Sequence, residues 1–203
     1  MNGGDMDATT NEILDILFRW FHVVFGIMWI GLLYFFNFVN ANFAKTLDAD
    51  SKKKVVPELM PRALYFFRWA AMITFVLGWL LFFLIYTPNN WANFHGIRGH
   101  WISMGALFGT IMWFNVWFII WPSQRKIING IKTGSAATPE IVSRAALASK
   151  INVYLSIPLV FAMLAAGSHF LHDEWYWYAG VLVIGYFAAS GLYSRAAKVT
   201  TEV

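Results

Sequence analysis

Histidine is the one strong metal ligand that this sequence offers. There are five, His22, His95, His100, His169 and His172, and no cysteine. Thiolate zinc sites, iron–sulfur clusters, disulfides and covalently attached c-type haem are therefore excluded. The sequence also lacks a carboxylate pair, a nucleophile triad, a phosphate-binding loop and a His-rich metal motif, so hydrolytic chemistry has no evident machinery.

His22 is the sharpest position. It lies in an apolar stretch, where an ionisable side chain is costly and tends to face the interior of a bundle. At helical spacing Asp15, Arg19, His22, Gly26, Trp29 and Leu33 form one stripe. Gly26, one turn deeper, leaves room for a flat macrocycle at His22. Arg19, one turn shallower, stands where it can pair with a propionate. The arrangement suits a b-type haem held by imidazole. It also suits plain packing, with His22 hydrogen-bonded to another helix and Gly26 allowing a close approach.

The second axial ligand is expected from His169, with His100 as the other option. Ala162, Ala165 and Ala166 share a face with His169. That smooth surface fits a macrocycle, or a tightly packed helix, equally well. Arg98 stands with Arg19 as a candidate cofactor contact, while His95 and His172 read as loop residues.

These residues need membrane helices to position them. The chain has 203 residues, of which 59% are hydrophobic, 19% aromatic and 13% charged; an ordinary soluble domain carries about 25% charged residues. With 19 Phe and 11 Trp, there is more apolar surface than one core of this size can hide. A soluble domain, a disordered chain and a nucleic-acid module are thereby excluded. The lipid bilayer is the expected solvent.

A hydrocarbon layer of about 30 Å takes about 20 apolar residues per helix. Five stretches qualify, Ile13–Phe38, Leu64–Tyr86, Trp101–Trp121, Ile151–Phe170 and Trp175–Tyr193. The expected fold is an all-α, polytopic membrane helical bundle of five transmembrane helices forming a single domain, 1–203. The N-terminal segment is polar and acidic, without the basic region of a cleavable signal. All of the 15 cations except Arg19 and Arg98 fall at one end of these spans. The positive-inside rule then places the N-terminus outside and the C-terminus inside. On that topology all five histidines lie in the outer half or the outer loops. Trp20, Trp91, Trp101 and the run Trp175–Tyr178 form an outer aromatic belt. Gly105 and Gly109 read as a packing face, and Asn115 and Asn152 as hydrogen-bonding partners between helices.

Three segments, taken in order, carry a resemblance. They are RWFHVVFGIMWIG (Arg19–Gly31), GALFGTIMWFNVWFIIWPSQRK (Gly105–Lys126) and NVYLSIPLVFAML (Asn152–Leu164). Together they resemble the N-terminal membrane domain of the membrane-bound, cytochrome-c-linked urate oxidase (urate hydroxylase) family, and the chain looks like a short stand-alone relative. The pattern at the end of the third helix is the most specific part. The first segment also looks like the opening helix of haem-b membrane protoporphyrinogen oxidases and copper-resistance D proteins.

The resemblance implies a bacterial inner-membrane protein in electron transfer, with His22 matching the family's first-helix histidine. The family's third-helix histidine falls at Ser103, one turn after His100, and another falls at Ile151. The expected function is a b-type haem electron-transfer subunit working with a periplasmic cytochrome c. The alternatives are a cofactor-free accessory subunit of a larger respiratory or oxidase membrane complex, and a urate-type oxidase.

Overall fold

The structure, a computed structural model, describes residues 3–86, 92–135, 137–168, 170 and 172–199, and the side chains of all of these except 3–9, 86, 92 and 93. Every regular element among them is helical. Helix α1 runs Gly3–Tyr34, widens into a π turn at Phe35–Asn40 and continues through Ala41–Thr46. Helix α2 is Ala49–Tyr86. A short 3-10 turn, Ala92–His95, precedes α3, which runs Ile97–Phe114, passes through a second π turn at Asn115–Ile120 and ends with Trp121–Thr133. Helix α4 is Pro139–Gly167 and α5 is Trp175–Ala196.

The helices are longer than hydropathy alone indicates. The region between the first two apolar stretches is almost wholly helical, with only Leu47 and Asp48 between α1 and α2. The charged residues there are good helix formers, so hydropathy marks the membrane boundary and not the end of the helix. Asp48 makes the sharp reversal possible by accepting from the Ser51 backbone N–H at 2.8 Å and from the Ser51 hydroxyl at 2.9 Å. Those bonds, the backbone one first, hold its carboxyl below the ordinary range. At the end of α3, Gly134 takes φ 75° and closes the helix in the left-handed conformation. Helix α4 stops at Gly167, earlier than the expected Phe170, so His172 lies beyond it.

Four helical spans are long and apolar enough to cross a bilayer, at Thr10–Thr46, Ala49–Ile85, Ile97–Thr133 and Pro139–Gly167. The expected fifth, α5, has the length and carries Trp175, Tyr176, Trp177, Tyr178, Tyr186 and Tyr193, aromatic side chains with a polar edge. The described residues thus form an all-helical membrane protein with four to five helices long and apolar enough to span a bilayer.

Two hairpins organise the bundle. Helix α1 packs along α2, and α3 packs along α4, with α5 against α4. In the α3–α4 seam, Gly105 and Gly109 let α4 approach. A Cβ at Gly105 would lie 2.7 Å from Met163 Cε, and one at Gly109 3.6 Å from Leu159 Cδ1. Buried deeper, Asn115 donates to Asn152 Oδ1 at 2.8 Å, and Asn152 donates to the Met112 carbonyl at 3.0 Å. The second π turn begins at Asn115 and is followed by Pro122, which lacks the N–H that a helix interior requires.

Candidate functional site

The stripe on α1 faces α2. Trp29 and Leu33 are buried, and Gly26 lies against Thr74, where an added Cβ would sit 3.8 Å from the Thr74 methyl group. The close approach that Gly26 offers is therefore taken by α2. Arg19 pairs with Asp15, one turn earlier, at 2.7 Å.

His22 is half-buried, and its Nδ1 lies 2.9 Å from the Thr74 carbonyl oxygen. A carbonyl can only accept, so Nδ1 carries the proton and, in the neutral ring, Nε2 keeps its lone pair. Gly78, one turn along α2 from Thr74, makes room for the ring. A Cβ there would come within 2.9 Å of His22 Cε1. Thr74 and Gly78 were not legible as site residues, because two small residues four apart are ordinary in membrane helices. The only signal is that T-F-V-L-G falls in the same stretch of α2 that must face His22.

The geometry has a plain chemical meaning. An imidazole whose Nδ1–H is tied to a backbone carbonyl is fixed in one tautomer and one orientation, with Nε2 free to bind a metal. Such a ring could hold a haem iron through Nε2. Nearby, Thr74 Oγ1 and Trp29 Nε1 are buried and have no hydrogen-bond partner among the described residues.

His100, exposed on the first turns of α3, has its Nδ1 2.7 Å from Asp173 Oδ2. It too has one ring nitrogen tied to an oxygen acceptor. Asp173 also accepts from the Tyr178 hydroxyl. These two bonds, Tyr178 first, hold the Asp173 carboxyl below its ordinary value. His22 and His100 therefore engage different elements, α2 for the first and the segment before α5 for the second. His169 lies outside the described residues. Arg98 is exposed on the first turn of α3. His95 is exposed beside Phe94, and His172 stands 3.7 Å from Glu174 with its ring against Trp177. No group of three His, Cys, Asp or Glu gathers as a metal cluster among the described residues.

One expectation at this end of the bundle is corrected, and at another place one of two open readings is favoured. Trp101 does not belong to a lipid-facing belt. It is fully buried, stacked on Tyr178 at 4.2 Å, and donates through Nε1 to the His172 carbonyl at 2.8 Å. An indole with one polar edge is as well served by a buried acceptor as by the interface. The smooth face of α4 is also filled, because Ala162 and Ala165 pack against Trp101 and against Val181 of α5. Trp91 lies outside the described residues, while Trp20 and Trp175 are exposed as a belt requires.

A family model described as "Urate oxidase N-terminal" matches residues 89–197. No curated protein and no solved structure matches the chain. The matched range holds α3, α4 and α5 with two of the three resembling segments, and α1 and α2 with His22 precede it. More than half of the sequence is covered, and the chain belongs to the urate oxidase N-terminal family.

Proposed function

We propose that the chain is a membrane redox subunit in which His22 is an axial ligand for a b-type haem, working with a periplasmic cytochrome c or another redox subunit. One observation carries the reading, the bond between His22 Nδ1 and the Thr74 carbonyl with Gly78 opened beneath the ring. It prepares Nε2 for a metal in a segment where a histidine without a role would be costly.

Haem would supply one-electron redox chemistry here. The protein's own residues orient and pair. The Thr74 carbonyl holds the imidazole, Gly78 gives it room, and Arg19 shares the α1 stripe one turn away, with further N–H donors beyond the one bonded to Asp15. Gly26 and Arg98 remain proposed contacts. The second axial ligand is proposed as His169 or His100, and the fixed Nδ1 of His100 favours neither over the other. The chain is placed in a bacterial inner membrane with five spans, its N-terminus outside, so that the histidine-bearing end faces the periplasm. The charge distribution supports this orientation.

The test is a dithionite-reduced minus oxidised absorbance spectrum of the detergent-purified chain from haem-replete cells, beside His22→Ala, His100→Ala and His169→Ala. A sharp α band lost in His22→Ala is expected, with loss in one of the other two naming the second ligand. A flat spectrum from folded protein would overturn the haem reading and leave a cofactor-free accessory subunit of a larger membrane complex. The family's name makes urate the first substrate to try. Urate-dependent reduction of added cytochrome c, lost in His22→Ala, would extend the reading to an oxidase.

A further inference from the structure

At the opposite end of the bundle, where the cations collect, the helix ends enclose a cavity of about 740 Å³. Its floor is apolar, made by the buried Leu64 and Phe67 of α2 and Ile120 of α3. Its wall is not. The first π turn brings Asn40 to the cavity, and Lys45, Lys52 and Lys150 line it from α1, α2 and α4. Among the described residues that line it there is no aspartate or glutamate.

The donors here outnumber their acceptors. Lys45 Nζ reaches Asn42 Oδ1 at 3.2 Å, and Lys150 Nζ lies about 6 Å from the Tyr154 and Tyr193 ring centroids. None of the three lysines is in an ion pair among the described residues. Lys52 is half-buried, as a lysine is when its stem lies along an apolar surface. Asn40 Nδ2 is directed to the Met60 sulfur at 3.5 Å, a weak acceptor. Three ammonium groups around one cavity raise its potential, and a multiply charged anion relieves their repulsion. Lysine suits phosphate as a point charge. Lys45 and Lys150 are exposed as Lys53 and Lys54 are, but Lys53 and Lys54 do not line the cavity, so the lining lysines are a subset of the basic residues at this end.

We propose that this cavity binds an organic phosphate with an apolar body, the phosphate on Lys45, Lys52, Lys150 and Asn40 and the body on the Leu64–Phe67–Ile120 floor. Such chemistry comes from an acidic phospholipid of the adjoining leaflet or from a soluble phosphate ester. The proposal is independent of the redox reading at the other end.

Isothermal titration of the full chain in uncharged detergent distinguishes the sources. The probes are dihexanoyl phosphatidic acid, phenyl phosphate and, as the zwitterionic control, dihexanoyl phosphatidylcholine. Saturable one-to-one binding of phosphatidic acid without phenyl phosphate binding assigns the lipid, and equal binding with mutual competition assigns the soluble ester. In either case Lys45→Gln/Lys52→Gln/Lys150→Gln should weaken binding by about tenfold or more. Ala146→Trp, which fills the cavity from an exposed lining position and keeps every charge, should do the same. The proposal is overturned if neither anion binds with one-to-one stoichiometry, if Ala146→Trp binds as the unaltered chain does, or if Lys53→Gln/Lys54→Gln weakens binding as much as the triple variant.

Discussion

Along α3 and α4 the buried amides answer one another. Asn115 donates to Asn152, Asn152 donates to the Met112 carbonyl, and the glycines beside them let the backbones close in. Along α1 and α2 the seam is built with equally small residues, yet its polar groups do not close. His22 reaches the Thr74 carbonyl, while Trp29 Nε1 and Thr74 Oγ1 are buried without a hydrogen-bond partner among the described residues; Arg68 turns instead to α3, its guanidinium 4.0 Å from the Trp121 ring centroid. On α3 the orphaned indoles are Trp113 and Trp117, which meet Phe75 and Trp69 of α2. A bilayer core offers no water to make up such losses. The α3–α4 seam is thus finished by its own side chains, and the α2 side of the bundle carries polar groups that its own side chains do not satisfy among the described residues. The first seam closes its polar groups on one another, and the second closes its packing while leaving polar groups unbonded among the described residues.

Removing a polar group should therefore have opposite consequences in the two seams. Asn152→Ala leaves Asn115 Nδ2 without its acceptor, at a cost of about 1–3 kcal/mol, while the Met112 carbonyl keeps the Asn115 backbone N–H. The expected result is a large drop in thermal midpoint in detergent, with an unchanged haem spectrum per folded molecule. Asn115→Leu/Asn152→Leu should recover much of the loss, because an apolar pair leaves no side-chain donor stranded. His22→Ala should do the reverse. Stability falls by about 1 kcal/mol, since the Thr74 carbonyl sits in a helix and keeps its backbone partner, while the α band disappears. Equal destabilisation by both variants would erase the distinction between the seams.

The glycines give a finer version of the same contrast. Gly78→Ala places a Cβ 2.9 Å from His22 Cε1, so the ring or the helix must shift. Overpacking of that kind costs about 1–3 kcal/mol, and it should also move the haem band or lower haem content. Gly26→Ala meets only the Thr74 methyl at 3.8 Å, an ordinary contact. It should be neutral, or stabilising by up to about 1 kcal/mol from helix propensity. Thermal melts and spectra of the pair decide this. A harmless Gly78→Ala would mean that the His22 ring is not held where the seam places it.

How far the sequence reveals these features depends on which forces set them. The apolar stretches are read correctly as helices because burial in lipid is a large, additive signal spread over about 20 residues. The α1 stripe is legible for the same reason, and it does turn toward a neighbour. The helix ends are not legible, because Lys52–Lys54 leave the hydrocarbon without leaving the helix. Trp101 looks like an interface residue by type and is buried by packing against Tyr178, Ala162 and Ala165, with its Nε1 satisfied by the His172 carbonyl. Thr74 and Gly78 escape notice because their role depends on the register between α1 and α2, which no local pattern records. The π turn at Phe35–Asn40 is likewise silent, having no proline or glycine within it to announce it.

The smallest effect expected is at the turn that joins α4 to α5. Asp173 accepts from Tyr178 and from His100 Nδ1, so one carboxylate ties that turn to both α5 and α3. Its carboxyl lies below the ordinary value of 3.8 in the folded chain. A carboxyl depressed by folding contributes stability that is fully present above the unfolded value and is lost as the pH falls through the folded one. The unaltered chain should therefore lose thermal stability on acidification below about pH 4, and Asp173→Asn should lack that component while being slightly less stable at neutral pH. The effect is limited because the pair is partly exposed to solvent. Melts at several pH values in the same detergent compare the two. Parallel acid profiles would show that the carboxylate is not what holds this end closed, leaving Trp101 as the remaining tie between α3 and the same turn.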